Sequence, residues 1–344
     1  MDNKRSDLVD LRIARIRHSR CTLLPVDPLG GPVGPEDHRK TSDAMNRIFV
    51  PLGLLMLAAL LGGCAKFESG LSLYEKGEYD SALRVWRLLG EHGDARSQNF
   101  VGVLYDQGKG VAENNVEAVA WFKRAANEGY APAQNNLGLM YRAGAGVPRD
   151  DKIAANWFAA AVEQGHMDAL NNLGVMYDQG AGVAEDDERA VQLFRRAAKS
   201  GHPRALGNLG RMYEKGEGAP QDLAEAARVF GAAAQLGDRE AQNNFAVMLD
   251  NGRGVAADPA SAMTWFQKAA RQGDVAAQIN LGRKYLGSTA SPDNLISAYA
   301  WFNLAASSGN SEAANLKRSI ATRLSREQVQ QAQKLSATLL SGDE

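Results

Sequence analysis

Apolar residues recur along this chain at helical spacing, in pairs of stripes separated by glycine. In the stretch Ala131–His166, Ala133, Leu137, Met140 and Tyr141 fall on one stripe. Ala154, Trp157, Phe158, Ala160 and Ala161 fall on a second. Spacings of three and four residues mark one face of an α-helix. The pattern therefore predicts a helix over about 132–142 and a second beginning after Asp150. Gly144-Ala145-Gly146-Val147 lies between them, and Gly165 ends the second. Glycine belongs where a chain leaves a helix with positive φ.

The same line is written again and again. Gly108, Gly144, Gly180, Gly216 and Gly252 stand 36 residues apart, as do Phe122, Phe158, Phe194, Phe230, Phe266 and Phe302. The pair Leu137-Gly138 returns as Leu173-Gly174, Leu209-Gly210 and Leu281-Gly282. No insertion breaks the register from Gly102 to Ala313. A fixed period of this size means stacked helical units, none of which can bury its apolar face alone. Asn114, Asp150, Asp186, Asp222, Asp258 and Asn294 form a column suited to capping the second helix of each unit. Asp94, Tyr130, His166, His202, Asp238, Asp274 and Asn310 form a second cap column, before the first helix.

These columns resemble the Sel1-like repeat, a tetratricopeptide-like family. The resemblance implies an all-α fold: a right-handed α-solenoid of stacked antiparallel helix pairs. It covers six units over 95–310. Residues 64–94 read as a shorter, tetratricopeptide-like first hairpin, and 311–344 as C-terminal capping helices, with Ser325 and Gln328 spaced for a capping box. Departures are local. Leu193 and Val229 stand where other units have Trp, Phe245-Ala246 replaces Leu-Gly, and the last loop loses its second glycine.

The N-terminus has another character. Residues 1–44 read as a disordered leader or as sequence upstream of the true start. Met45-Asn46-Arg47 followed by the apolar run Ile48–Leu61 has the length of a signal-peptide core rather than of a membrane span. It ends in Leu61-Gly62-Gly63-Cys64, which resembles the bacterial lipobox. Residues 45–63 are thus expected to be a lipoprotein signal peptide, with Cys64 lipidated. Ala65 in place of Asp favours an outer-membrane lipoprotein facing the periplasm; the inner membrane and an uncleaved short anchor are the alternatives.

Composition narrows the chemistry. Formal net charge is −1, with 23% charged residues, which gives no basic face for nucleic acid. The two cysteines, Cys21 and Cys64, precede the repeats, so no thiolate metal site or disulfide framework arises there. His166 and His202 lie one repeat apart, in a column otherwise filled by Asp, Asn and Tyr, and read as caps rather than metal ligands. The glycine pairs follow helices, not strands, which removes dinucleotide and phosphate-loop readings. No nucleophile–base constellation is evident. The reading is of no catalytic residues, no metal and no cofactor.

What remains is a surface. By analogy with tetratricopeptide solenoids, the concave binding face is expected on the first helix of each unit. Its residues would be Asn99, Asn135, Asn171 and Asn243, then Val103, Leu139, Val175 and Val247, flanked by Arg142 and Asp178. The adjacent column Asn136, Asn172, Asn208, Asn244 and Asn280 is assigned to a structural ladder between repeats. The expected function is a non-enzymatic scaffold that is anchored by Cys64 and holds a protein or peptide partner. The alternatives are a periplasmic regulator sequestering a sensor ectodomain and a cell-wall or β-lactam hydrolase.

Overall fold

A computed structural model describes residues 66–287 and 291–341. The leader, the signal peptide and Cys64 lie outside the described residues. Within them the chain forms sixteen helices and no strand. They fall into two compact units, divided after Tyr130.

In the first unit, α1 (66–75) and α2 (Tyr79–Glu91) make the short hairpin, followed by α3 (Ala95–Gln107) and α4 (Asn115–Asn127). Trp86 fills the hairpin core at 0% exposure and its indole N–H donates to the carbonyl of Phe67 at 3.3 Å. Gly70 makes room for it, since a Cβ there would sit 2.4 Å from Trp86 Nε1.

The second unit stacks antiparallel pairs, each an A helix and a B helix. The pairs are α5 (Ala131–Ala143) with α6 (Asp151–Glu163), α7 (Met167–Gln179) with α8 (Asp187–Lys199), and α9 (Pro203–Lys215) with α10 (Leu223–Gln235). They continue with α11 (Arg239–Asn251) and α12 (Pro259–Arg271), then α13 (Val275–Gly287) and α14 (Pro292–Ser307). Two helices close the stack, α15 (Ser311–Ala321) and α16 (Arg326–Ser341).

Each turn within a pair is pinned at both ends. Asp150, Asp186, Asp222 and Asp258 accept backbone N–H bonds from Ile153, Arg189, Glu225 and Ser261, satisfying donors that a helix start leaves open. The N–H groups of Asp150, Asp186 and Asp222 bond back to the carbonyls of Tyr141, Tyr177 and Tyr213, so the cap also fastens the loop to the helix before it. Hydrogen bonds from Ser261 hold the Asp258 carboxyl below its usual range. The capping box forms as spaced, with Ser325 and Gln328 bonding each other's backbone N–H at 3.2 and 2.8 Å. Asn294 departs from expectation. Pro292 at the first helical position starts α14 early, and Ser291 caps it, accepting from the Asn294 N–H.

Two glycines set how closely things approach. A Cβ on Gly174 would lie 2.7 Å from the Phe194 ring, and Gly138 stands the same way against Phe158. The phenylalanines are fully buried, so helices A and B meet at a distance no other side chain permits. In the loop, Gly182 has φ of 70°, and a Cβ there would fall 2.3 Å from the Asp151 carbonyl. The loop of one repeat is thus pressed onto the B-helix start of the repeat before it. In the unit with Phe245-Ala246, the enlarged Phe245 is accommodated by Gly231 of α10, whose added Cβ would meet its ring at 3.2 Å.

Helix-interior glycines therefore split into two kinds. Gly174→Ala is expected to destabilise by about 1–3 kcal/mol through overpacking. Gly207→Ala, where no atom lies nearer than 3.6 Å to the new Cβ, is expected to stabilise by up to about 1 kcal/mol. Paired thermal melts check both signs.

Candidate functional site

The A helices bury most of their surface and leave one stripe to solvent. In α7 the accessible positions of that stripe are Asp168, Asn172, Val175 and Gln179; in α9 they are Arg204, Asn208, Arg211 and Lys215. Steps of four, three and four residues keep these on one face. The same phase in the neighbouring helices brings up Asn136 and Leu139, Asn244 and Val247, and Asn280 and Arg283. The expected apolar positions Leu139, Val175 and Val247 lie in this stripe, half-buried. Val103 does not, being 6% exposed inside the first unit.

The expected asparagines require a correction. Asn135 is 0% exposed, and Asn99, Asn171 and Asn243 are also buried. They cannot meet a partner, because each lies one residue behind the stripe, about 100° around the helix. Their work is internal. Asn172 Nδ2 donates to Asn135 Oδ1 at 2.9 Å, Asn208 to Asn171 at 3.0 Å, and Asn280 to Asn243 at 3.0 Å. The ladder between repeats thus uses both columns, and the outer member carries the accessible group. One signal for this stands in the sequence. The inner column admits Gly207 and Ile279, whereas the outer one is Asn in all five units from Asn136 to Asn280.

Gly207 interrupts the ladder. Asn244 finds no amide in the preceding repeat and accepts instead from its neighbour Asn243 at 3.4 Å. Asn172, Asn208 and Asn280 spend nitrogen on the ladder, and their Oδ1 atoms stay accessible without a partner among the described residues.

Charged residues on and beside the stripe are tied to one another, mostly from repeat to repeat. Arg142 donates to Gln179 at 3.2 Å, and Arg211 bridges Asp178 at 2.7 Å and Glu217 at 3.2 Å. Arg253 pairs with Glu214 at 2.9 Å, and Lys284 with Asp250. Arg142 and Asp178, both expected to bind a partner, are thus engaged within the stack. Nearby, desolvation and then the carboxylates of Asp178 and Glu217 push the Asp187 carboxyl above its usual value, against the pull of Arg211.

A second internal row joins the repeats. Gln242 and Gln278 donate to the carbonyls of Ala234 and Ala270, closing the end of the preceding B helix, as Gln98 does for Gly90 in the first unit. The two histidine units differ. Leu170 and Leu206 replace Gln, and His166 and His202 cap through Nδ1, accepting from Ala169 and Ala205. His202 Nε2 also lies 3.1 Å from Asp168 Oδ1. The pair resembles a catalytic dyad only in spacing. The nitrogen a general base would use is already occupied by a backbone N–H. Among the described residues no group of three or more His, Cys, Asp or Glu is placed to hold a metal ion, and no helix is long and apolar enough to cross a membrane. An open cleft of about 430 Å³ beside α10 is lined by Ala227, Gly231, Phe245 and Val255 among others, with Arg228 and Gln235 as its polar side chains.

Known proteins share this arrangement. A Sel1 repeat protein from Oxalobacter formigenes superposes with a TM-score of 0.65 at 32% identity, covering 70% of this chain and 96% of its own. A protective antigen of uropathogenic Escherichia coli strains, with an SLR fold, gives 0.61 at 30% identity, covering 85% of this chain and 64% of the antigen. An exopolysaccharide production negative regulator of Rhizobium meliloti is 35% identical over 68 residues, 20% of this chain and 25% of the regulator. The chain thus spans about a quarter of that curated relative. The Sel1 repeat model matches residues 95–130, 131–166, 168–202, 203–238, 239–274 and 275–310, well over half of the chain, and the chain belongs to the Sel1 repeat family.

Proposed function

We propose that this chain is a non-enzymatic interaction protein, held at a membrane of the cell envelope by a lipid on Cys64, with a protein or peptide partner on the exposed stripe of its A helices. Sel1 repeat proteins typically act as protein-interaction scaffolds, which supports the class of function. The observation that carries the site is that half-buried Leu139, Val175 and Val247 share one stripe with the accessible oxygens of Asn172 and Asn208, Arg211 standing between Val175 and Val247. Apolar and polar groups alternate there on rigid elements already fixed by packing, so binding costs little ordering. Several neighbouring charges, among them Arg211 with Asp178 and Arg253 with Glu214, are paired within the stack.

The membrane part of the proposal rests on the order of Met45-Asn46-Arg47, the apolar run and Leu61-Gly62-Gly63-Cys64. Several acyl chains on one cysteine anchor stably where a single chain would not. The periplasmic side of the outer membrane follows from Ala65 after the cysteine. A second reading, a periplasmic regulator that sequesters a sensor ectodomain, is favoured by the similarity to the exopolysaccharide production negative regulator. It uses the same face and differs only in the partner. A hydrolase reading has no support from the His202–Asp168 pair, whose geometry is that of a cap.

Mass spectrometry of the protein from its native membrane is expected to find Cys64 as the acylated N-terminus, and Cys64→Ala should move it to the soluble fraction. An unmodified Cys64, or peptides recovered from residues 1–40, would overturn the anchor or the start. For the face, a photo-crosslinking residue at position 175 is expected to give a discrete adduct in cells, whereas one at the exposed B-helix position 192 should not. The reverse pattern places the partner elsewhere.

A further inference from the structure

The asparagine ladder lacks one rung, and the missing group has a defined chemistry. Asn172, Asn208 and Asn280 each donate through Nδ2 to the asparagine 37 residues earlier, at 2.9, 3.0 and 3.0 Å. The same step from Asn244 leads to Gly207, which has no oxygen to offer. Asn244 Oδ1 accepts from Asn243 at 3.4 Å, and its Nδ2 has no partner among the described residues. One donor of the ladder is therefore unspent, at a known place on the binding stripe.

Solvent reaches that place. The inner asparagines one repeat before and after, Asn171 and Asn243, are buried at 6% and 7% exposure, whereas Gly207 is half-buried with no side chain of its own. A Cβ at position 207 would meet nothing nearer than Asp238 Oδ1 at 3.6 Å and the Ala241 Cβ at 3.8 Å. Asp238 Oδ1 accepts from the Ala241 N–H at 2.8 Å, and its Oδ2 makes no hydrogen bond among the described residues. The notch thus has an amide donor assigned to it by the register and a carboxylate on its wall. A group that enters must bring an oxygen for Asn244, and gains from an N–H for Asp238. A carboxylate brings no hydrogen and meets Asp238 as a like charge. A primary carboxamide brings one acceptor and two donors, and it is the group the ladder uses at its own rungs.

Resting on the binding face proposed above, we propose that the partner inserts one asparagine or glutamine side chain into the Gly207 notch and completes the ladder. Its carbonyl oxygen accepts from Asn244 Nδ2, and its amide nitrogen donates to Asp238. Gly207 lies on α9, between the helices that carry the half-buried Val175 and Val247, so apolar residues flanking the inserted amide settle against those two side chains. The amide acts chiefly as a selector. A partner residue of similar size without it leaves Asn244 unpaired beneath the contact, and an unpaired buried polar group is costly.

The test uses the full-length protein and a phage library of random twelve-residue peptides, with selected peptides resynthesised with fluorescein and read by anisotropy. Selection is expected to fix Asn or Gln at one position, and replacing that residue by Leu or Asp should weaken binding about tenfold. Gly207→Asn supplies the amide from within. It should melt no lower than the parent and bind the amide peptide and its Leu variant alike. Asn244→Leu removes the donor and should erase the same difference, which keeps the test open if the first variant does not fold. Selection of no peptide, of peptides without a fixed Asn or Gln, or of peptides with Asp, Glu, Ser or Thr fixed instead overturns the inference. So does an amide preference that survives in the folded variants. The crosslink from position 175 reports on the face separately, so its persistence beside any of those results would show that the face is right and the notch wrong.

Discussion

The approach of helix A to helix B, closer than a β-carbon allows, is the constraint on which the rest depends. Gly138, Gly174 and Gly210 lie under the rings of Phe158, Phe194 and Phe230. Once that contact is made, the hairpin is narrow, and the double-glycine loop has little latitude in how it turns. The loop's second glycine then rests on the helix start of the preceding unit, as Gly182 does on Asp151 and Gly218 on Asp187. A packing requirement inside one repeat thereby becomes a contact between repeats. Alternating small and large residues is a general device for interdigitating layers. Here it is carried to its limit, with glycine against phenylalanine.

Polar rows complete the interface that these contacts define. Buried amides are costly when unsatisfied and specific when satisfied. The Asn rows tie A helix to A helix, and Gln242 and Gln278 tie A helix to the end of the preceding B helix. Where His166 and His202 take over the cap, the glutamine is gone and leucine fills its place. Those two joints are therefore built from an imidazole ring and apolar packing, in a stack whose other caps are mostly carboxylates. Asp274, one of those carboxylates, is pushed above its usual range by burial while its backbone N–H bonds pull the other way.

Much of this was legible in the sequence because it is short-ranged. A cap binds an N–H three residues on, a turn glycine serves its own φ, and a period needs only counting. The run of six all-helical repeats follows from those features alone. The phase of the asparagine face does not. Asn135 and Asn136 are neighbours of one type at the edge of a buried surface, and which of them looks outward depends on how tightly adjacent helices are drawn together. That distance is set by Gly–Phe contacts between columns twenty residues apart, which no local rule reports. The glycine column was visible, but its reason, a ring on the other helix, was not. The commitment of Arg142 and Asp178 to bonds with the next repeat likewise depends on three-dimensional neighbours.

The asparagine ladder has a consequence for how such a chain changes length. Each bond joins a residue type to the same type one unit on, so the two sides of the joint carry one chemistry. A duplicated unit inserted after α6 or α8 would find its partners waiting on both sides, and a deleted one would leave matching ends to rejoin. Gly207 and Ile279 are where that interchangeability stops, since neither offers an oxygen to a newcomer. Growth by copying is thus open where the inner column holds Asn, as at Asn135 and Asn171, and is interrupted at Gly207 and Ile279.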